Sequence, residues 1–170
     1  MKKDKIKTVL VPLLIIVAVV SLDIMTKYMI VARFDDRPGG RIDFLGGLVR
    51  IALVYNDGFV FGLGQGYKNV ALAISIVVLT LMITYYLFEK NKSSLFSISM
   101  GLITSGALGN IVDRVIPGRP GVVDFISIGV DGVYRWPSFN VADSSIVVGA
   151  VLLIIVFYRE ENKRKKQASG

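Results

Sequence analysis

Three features of the sequence predict an all-α membrane bundle of four transmembrane helices, with a small extracytoplasmic β-hairpin or sheet and a short surface helix or flap. The first is apolarity: 53% of the 170 residues are hydrophobic, and the mean hydropathy is +0.60, more apolar than an ordinary soluble domain. The second is its segregation into four runs, at about 9–31, 70–88, 95–116 and 141–158. Each is long enough to cross a hydrocarbon core of roughly 30 Å at about 1.5 Å per residue. The third is the placement of charge. Lys2, Lys3, Lys5 and Lys7 precede the first run, Lys90 and Lys92 separate the second and third, and Arg159, Lys163, Arg164, Lys165 and Lys166 follow the fourth.

With an even number of spans these clusters share one side, which the positive-inside rule makes cytoplasmic, together with both termini. The net charge of +7 is therefore a topology signal, and no nucleic-acid partner is expected. The chain reads as a single integral membrane domain over 1–170, with outer loops at about 32–69 and 117–140. The first run carries Asp23 and Lys27 and is too long for a cleaved signal peptide.

Cysteine and histidine are both absent. Disulfides, thiol nucleophiles, histidine-based triads and HExxH zinc sites are thereby excluded. No metal and no cofactor is expected, and acid–base chemistry near neutral pH falls to carboxylates, lysine or tyrosine. The acids are sorted: Glu89, Glu160 and Glu161 lie on the cytoplasmic side, and nine of the ten aspartates lie in spans or outside.

In span one, Pro12 falls in the first turn, where proline is tolerated. Asp23 and Lys27 are four apart and share a helix face, as a neutralising ion pair or as a brace for a site. In the outer loop, Asp35-Asp36-Arg37-Pro38-Gly39-Gly40 is a turn cluster. Arg41-Ile42-Asp43-Phe44 and Val49-Arg50-Ile51-Ala52-Leu53-Val54-Tyr55 flank Gly46-Gly47 as a β-hairpin. Asn56-Asp57-Gly58-Phe59-Val60-Phe61-Gly62 then enters a surface helix or flap carrying Phe59 and Phe61. Span two has no charge between 70 and 88 and reads as scaffold.

Span three is rich in small residues (Ser97, Ser99, Gly101, Ser105, Gly106, Ala107, Gly109), which allow close helix approach in lipid. Its outer end places Asn110, Asp113 and Arg114 on one face, either as a polar cap or as support for a carboxylate. Trp136 and Tyr134 suit an interfacial aromatic belt. Asn140 is an N-cap for span four, and Asp143 lies in its first turn near the positive end of the helix dipole. The residues 167–170 read as a disordered tail.

A carboxylate at the mouth of an apolar span is costly unless it acts, and Asp124, just upstream, is the candidate to act with Asp143. Two carboxylates held together cannot both ionise readily; one keeps a proton, and the other can take one from water. Helix position favours Asp143 as the anion, leaving the proton on Asp124 in an irregular segment. Ion-pair scaffolding and a proton path remain open on the same spacing. A four-helix transporter or proton-pathway protein would also use intramembrane Asp, Lys and Arg, but nearer mid-membrane. A structural adaptor would need no second carboxylate. A Ser21–Lys27 dyad is disfavoured because six residues place the pair on poorly matched faces.

Five ordered segments, Asp23-Ile24-Met25-Thr26-Lys27, Asn56-Asp57-Gly58-Phe59-Val60-Phe61, Gly109-Asn110-Ile111-Val112-Asp113-Arg114, Val122-Val123-Asp124-Phe125 and Phe139-Asn140-Val141-Ala142-Asp143-Ser144, resemble those of bacterial lipoprotein signal peptidase (signal peptidase II). The likeness covers nearly the whole chain. It implies an intramembrane aspartyl endopeptidase of the bacterial cytoplasmic (inner) membrane. Such an enzyme removes signal peptides from prolipoproteins just before a diacylglyceryl-modified cysteine, with its active site toward the outer face. The family's dyad maps onto Asp124 and Asp143, and its supporting residues onto Asp23, Lys27, Asn56, Gly58, Asn110, Asp113, Arg114, Asn140 and Ala142. Membrane lipids and cyclic peptide inhibitors such as globomycin are the implied partners besides the substrate. The chain departs from the family at Asp57-Gly58-Phe59-Val60, where Thr-Gly-Ala-Ala is usual; the dyad is unaffected, but substrate and inhibitor fit could change.

Overall fold

A computed structural model describes residues 2–58 and 66–168. Four helices, α1 (Lys2–Arg33), α2 (Lys68–Phe88), α3 (Ser94–Val115) and α4 (Val141–Ala168), alternate with strands β1 (Arg41–Phe44), β2 (Val49–Asn56), β3 (Val122–Val130) and β4 (Tyr134–Arg135). All four helices are long and apolar enough to cross a membrane. The predicted surface helix or flap, with Phe59 and Phe61, falls outside the described residues.

α3 is the centre of the bundle. Of its span 56% is buried inside the protein, against 11%, 6% and 22% for α1, α2 and α4; the outer faces of those three are left to lipid. The small residues of α3 explain its place. A Cβ at Gly106 would meet the backbone oxygen of Ala142, and would lie 2.5 Å from Cγ1 of Ile146 and 2.6 Å from Oγ of Ser145, so only glycine lets α4 come this close. Buried hydroxyls at this contact are satisfied by helix carbonyls, as lipid requires. Ser99 donates to the Phe96 carbonyl, Ser105 to that of Leu102, and Ser145 to those of Ala142 and Leu102.

Two expectations about helix extent are corrected. α1 begins at Lys2, so Pro12 lies in the helix interior and not in its first turn. Proline has no N–H for the carbonyl four residues earlier, and that carbonyl, of Thr8, instead accepts the phenolic hydroxyl of Tyr86 on α2. α4 continues to Ala168, so residues 167 and 168 are helical where a disordered tail was expected. The basic run after Tyr158 is compatible with helix, and Lys165 pairs with Glu161 one turn back at 2.6 Å.

The strands form one antiparallel sheet in the order β1-β2-β3-β4. β1 and β2 are the expected hairpin, turned through Leu45, Gly46 and Gly47, all at positive φ. β3 was expected to be irregular. It is a strand because Val122-Val123-Asp124-Phe125-Ile126 is β-branched and aromatic and pairs with β2, Val54 opposite Asp124 and Asn56 opposite Val122. A bulge between Ile51 and Val54 shifts the register. The sheet packs on the bundle through Leu53, Val123 and Phe125, against Ile30, Val31 and Phe34 of α1 and its exit and Val141 of α4. A second apolar cluster, Phe96, Met100 and Val156 with Met82, Tyr86, Leu95 and Leu153, closes the opposite end. On the exposed sheet face Arg50 joins Asp43 (2.7 Å) to Asp131 (2.6 Å), and Arg135 also holds Asp131 (2.9 Å).

The close α3–α4 approach gives a direct test. Gly106→Ala should destabilise the bundle by about 1–3 kcal/mol, lowering the thermal midpoint in detergent; an unchanged midpoint would mean that α4 has room to yield there.

Candidate active site

Between the sheet and the apolar cluster at the other end lies a layer of buried polar side chains. Asp23, Lys27, Asn110, Asp113, Asp124 and Asn140 are each at most 8% exposed. Groups buried this deeply must satisfy one another, and their partners define the site.

α4 opens with a reciprocal cap. Oδ1 of Asn140 accepts the backbone N–H of Asp143 (2.8 Å), and the backbone N–H of Asn140 donates to Oδ2 of Asp143 (3.2 Å), the arrangement of a capping box with Asn and Asp in its two positions. This fixes Asp143 at the third helical position. Its Oδ1 accepts the amide of Asn110 at 2.7 Å.

Asp124 reaches the same place from β3. Its Oδ1 accepts Nδ2 of Asn140 at 2.7 Å, and its Oδ2 accepts Nδ2 of Asn56, on the neighbouring strand, at 3.0 Å. Asn140 therefore holds both carboxylates at once, with its side-chain amide on one and its backbone on the other. Burial, and then the negative charge of Asp143, push the Asp124 carboxyl up to about 7, against the opposing hydrogen bonds from Asn56 and Asn140 and the charge of Lys27.

Beneath the pair lies an ion-pair cluster. Nζ of Lys27 lies 2.7 Å from Oδ2 of Asp23 and 2.8 Å from Oδ2 of Asp113, and donates to Oδ1 of Asn110 at 3.2 Å. The two aspartates it bridges each hold a backbone N–H. Oδ1 of Asp23 accepts that of Ala142 at 2.9 Å, and Oδ2 of Asp113 accepts that of Val123 at 3.2 Å. Ala142 precedes Asp143, and Val123 precedes Asp124.

The remaining supporting residues close the rim. Arg114 donates to the carbonyls of Gly58 (2.9 Å) and Asn110 (3.4 Å), and the Gly58 N–H donates to Oδ1 of Asn56 at 3.1 Å. Asp57, where the chain departs from the family pattern, accepts the N–H of Gly66 at 3.0 Å. All eleven residues expected to form the dyad or its support are thus in one connected network. Phe59 and Phe61, expected on a flap, lie outside the described residues. Among the described residues no cluster of three or more metal-ligating side chains is present.

Two contributors were not assigned to the site from the sequence, Gly109 having been read only as one of the small residues of span three. A Cβ at Gly109 would fall 2.6 Å from Oδ2 of Asp23 and 3.1 Å from Cβ of Ala142, so this glycine is what lets Asp23 lie between α3 and α4. Its place beside Asn110, in a motif already quoted, was the available signal. Arg119, in the loop after α3, pairs with Oδ1 of Asp113, and nothing in its local sequence distinguishes it from a surface arginine.

The family model for signal peptidase (SPase) II matches residues 15–159. The chain is 40% identical over 136 residues to the lipoprotein signal peptidase of Burkholderia mallei (strain SAVP1), covering 78% of each chain. It is 40% identical over 149 residues to that of Borrelia duttonii (strain Ly), covering 82% of this chain and 84% of the relative. Two solved structures described as bacterial membrane enzymes, determined by the in meso method, are also similar. The one at 2.3 Å resolution has a TM-score of 0.78 at 29% identity and covers 90% of each chain. The one at 1.9 Å has a TM-score of 0.74 at 31% identity and covers 86% of this chain and 92% of that one. The chain is a multi-pass membrane peptidase and belongs to the signal peptidase II family.

Proposed function

We propose that this protein is an aspartic endopeptidase that cuts diacylglyceryl-modified prolipoproteins just before the lipidated cysteine, with Asp124 and Asp143 as its catalytic dyad. One observation carries the reading: Asn140 holds both buried carboxylates, and Asp124 is raised into the range where it keeps a proton near neutral pH. The lipoprotein substrate follows from the relatives, which are lipoprotein signal peptidases.

The chemistry needs one ionised and one protonated carboxyl. Asp143, at a helix N-terminus and receiving N–H bonds from Asn110 and Asn140, carries the charge. It takes a proton from water as the water oxygen attacks the scissile carbonyl carbon. Asp124 gives its proton to the carbonyl oxygen, producing a tetrahedral diol. On collapse the proton on Asp143 passes to the leaving nitrogen, the C–N bond breaks, and Asp124 recovers a proton from a diol hydroxyl. Asn56, Asn110 and Asn140 keep the two carboxyls oriented through the cycle.

Placement agrees with this use. Asp113 and Asp143 lie within the last and first turns of their helices, at the end of the bundle capped by the sheet, where water can reach a peptide entering sideways from lipid. The positive-inside rule makes that end the outer face of the bacterial cytoplasmic membrane, with both termini cytoplasmic. A transporter reading would want these groups near mid-membrane. Membrane lipids surround the exposed faces of α1, α2 and α4, and globomycin-type cyclic peptides bind at the dyad.

Asp124→Asn and Asp143→Asn, each purified and given a diacylglyceryl-modified prolipoprotein, should lose at least about a thousandfold in turnover while remaining folded. Near-normal cleavage by either would remove the dyad. The pH dependence follows from the proton on Asp124. With its carboxyl titrating at about 7, kcat/KM should fall as pH is raised through that value, because the acid form is lost. An unperturbed carboxyl would put this alkaline limb near 4, and a profile already falling there would contradict the assignment.

A further inference from the structure

Arg119 belongs to the outer loop Pro117-Gly118-Arg119-Pro120-Gly121 and touches the site through Asp113. Its side chain is 20% exposed, and it pairs with an Asp113 carboxylate that is 3% exposed. Asp113 is saturated: Oδ1 takes Arg119, while Oδ2 takes Lys27 and the N–H of Val123. The guanidinium thus fixes the far side of the carboxylate that holds the backbone next to Asp124.

Charge gives Arg119 a second role. Lys27 alone faces two buried aspartates, Asp23 and Asp113, so the cluster within the bundle is short of one positive charge. The groups facing Asp113 and the dyad are Asp23 and Lys27 from α1, Asp113 and Arg114 from α3, Asp124 from β3 and Asp143 from α4. Tyr55 of β2, bonded to Asp36, Asp57 after β2, bonded to Gly66, and Lys68 of α2 stand at the rim. With one proton on the dyad, Asp23, Asp113 and the ionised dyad member meet three cations, Lys27, Arg114 and Arg119, while Asp57, whose Oδ1 is also buried, adds a further negative charge beside them.

We infer that Arg119 is a positioning residue of the peptidase: through Asp113 it holds the Asp124 strand in place and supplies the second cation that offsets the two aspartates sharing Lys27. This rests on the dyad proposed above. The loop does not depend on the guanidinium for its own shape. Pro117 and Pro120 restrict the backbone on either side, the Arg119 N–H donates to the Ile116 carbonyl at 3.3 Å, and the Arg119 carbonyl accepts Nζ of Lys68 at 2.5 Å.

Removing the cation paired with Asp113 leaves that carboxylate less compensated beside the dyad, which disfavours every ionised state of the dyad. Both limbs of the pH profile must then move to higher pH. The experiment measures kcat/KM for a diacylglyceryl-modified prolipoprotein from about pH 5 to 9, with wild type, Arg119→Gln, Arg119→Lys and, as control, Asp143→Asn. Thermal melts verify that each is folded. Arg119→Gln should move the whole profile alkaline by about half a pH unit or more and lower kcat at its own optimum several-fold, with KM little changed. Arg119→Lys should return the profile to the wild-type position. A Gln profile that superimposes on wild type, or a Lys variant displaced as far as the Gln variant, would overturn the inference while an inactive Asp143→Asn left the dyad standing. Cleavage by Asp143→Asn would overturn both. Should Arg119→Gln not fold, Arg119→Met takes its place in the same comparison, with the same displaced or superimposed profile deciding.

Discussion

The ammonium group of Lys27 is the interaction on which the rest of the site depends. It stands within 2.8 Å of Asp23 and Asp113, and each of these accepts the backbone N–H of the residue just before one of the two carboxylates proposed as the dyad, Asp143 and Asp124. One cation thereby ties the start of α4 to the start of β3, two segments that approach the site from a helix and a sheet. Removing one member of a buried ion pair strands its partner and costs about 3–5 kcal/mol. The cluster therefore constrains position as well as charge.

Such a cluster inside a membrane protein is tolerated only where neighbouring elements complete it. α3 completes it by being thin. With glycine at 106 and 109, α4 and Asp23 come close enough for α4's second helical N–H to reach a carboxylate of α1. The apolar faces of the other helices remain exposed for lipid. The sheet caps the polar layer on the opposite side and brings Asn56, one strand over, to Asp124. Polar groups are buried, but nearly all are hydrogen-bonded, the condition under which a low-dielectric network is rigid and not merely costly.

Much of this arrangement was legible in the sequence, for identifiable reasons. The spans are readable because lipid demands long apolar runs, and the Asp23–Lys27 pair because four residues make one helix turn. The cap is readable because Asn140 and Asp143 have capping-box spacing. What was not legible depended on contacts between distant segments. Pro12 looked like a helix start because the partner of the Thr8 carbonyl, Tyr86, lies on another helix. β3 looked irregular because its strand identity is completed by pairing with β2, and the glycines and prolines around it read as loop. Gly109 was legible as a small residue allowing close approach but not as the seat of Asp23, and Arg119 carries no local mark of its role; each is defined by the carboxylate it meets.

A shared proton on the dyad is the centre of the account, and infrared difference spectroscopy of the carboxyl stretch tests it most directly. Spectra of wild type and Asp124→Asn would be compared at about pH 6 and followed upward. The expected result is one protonated-carboxyl band in wild type, missing from the variant and fading as the pH passes through about 7. A wild-type spectrum indistinguishable from that of Asp124→Asn across this range would contradict it.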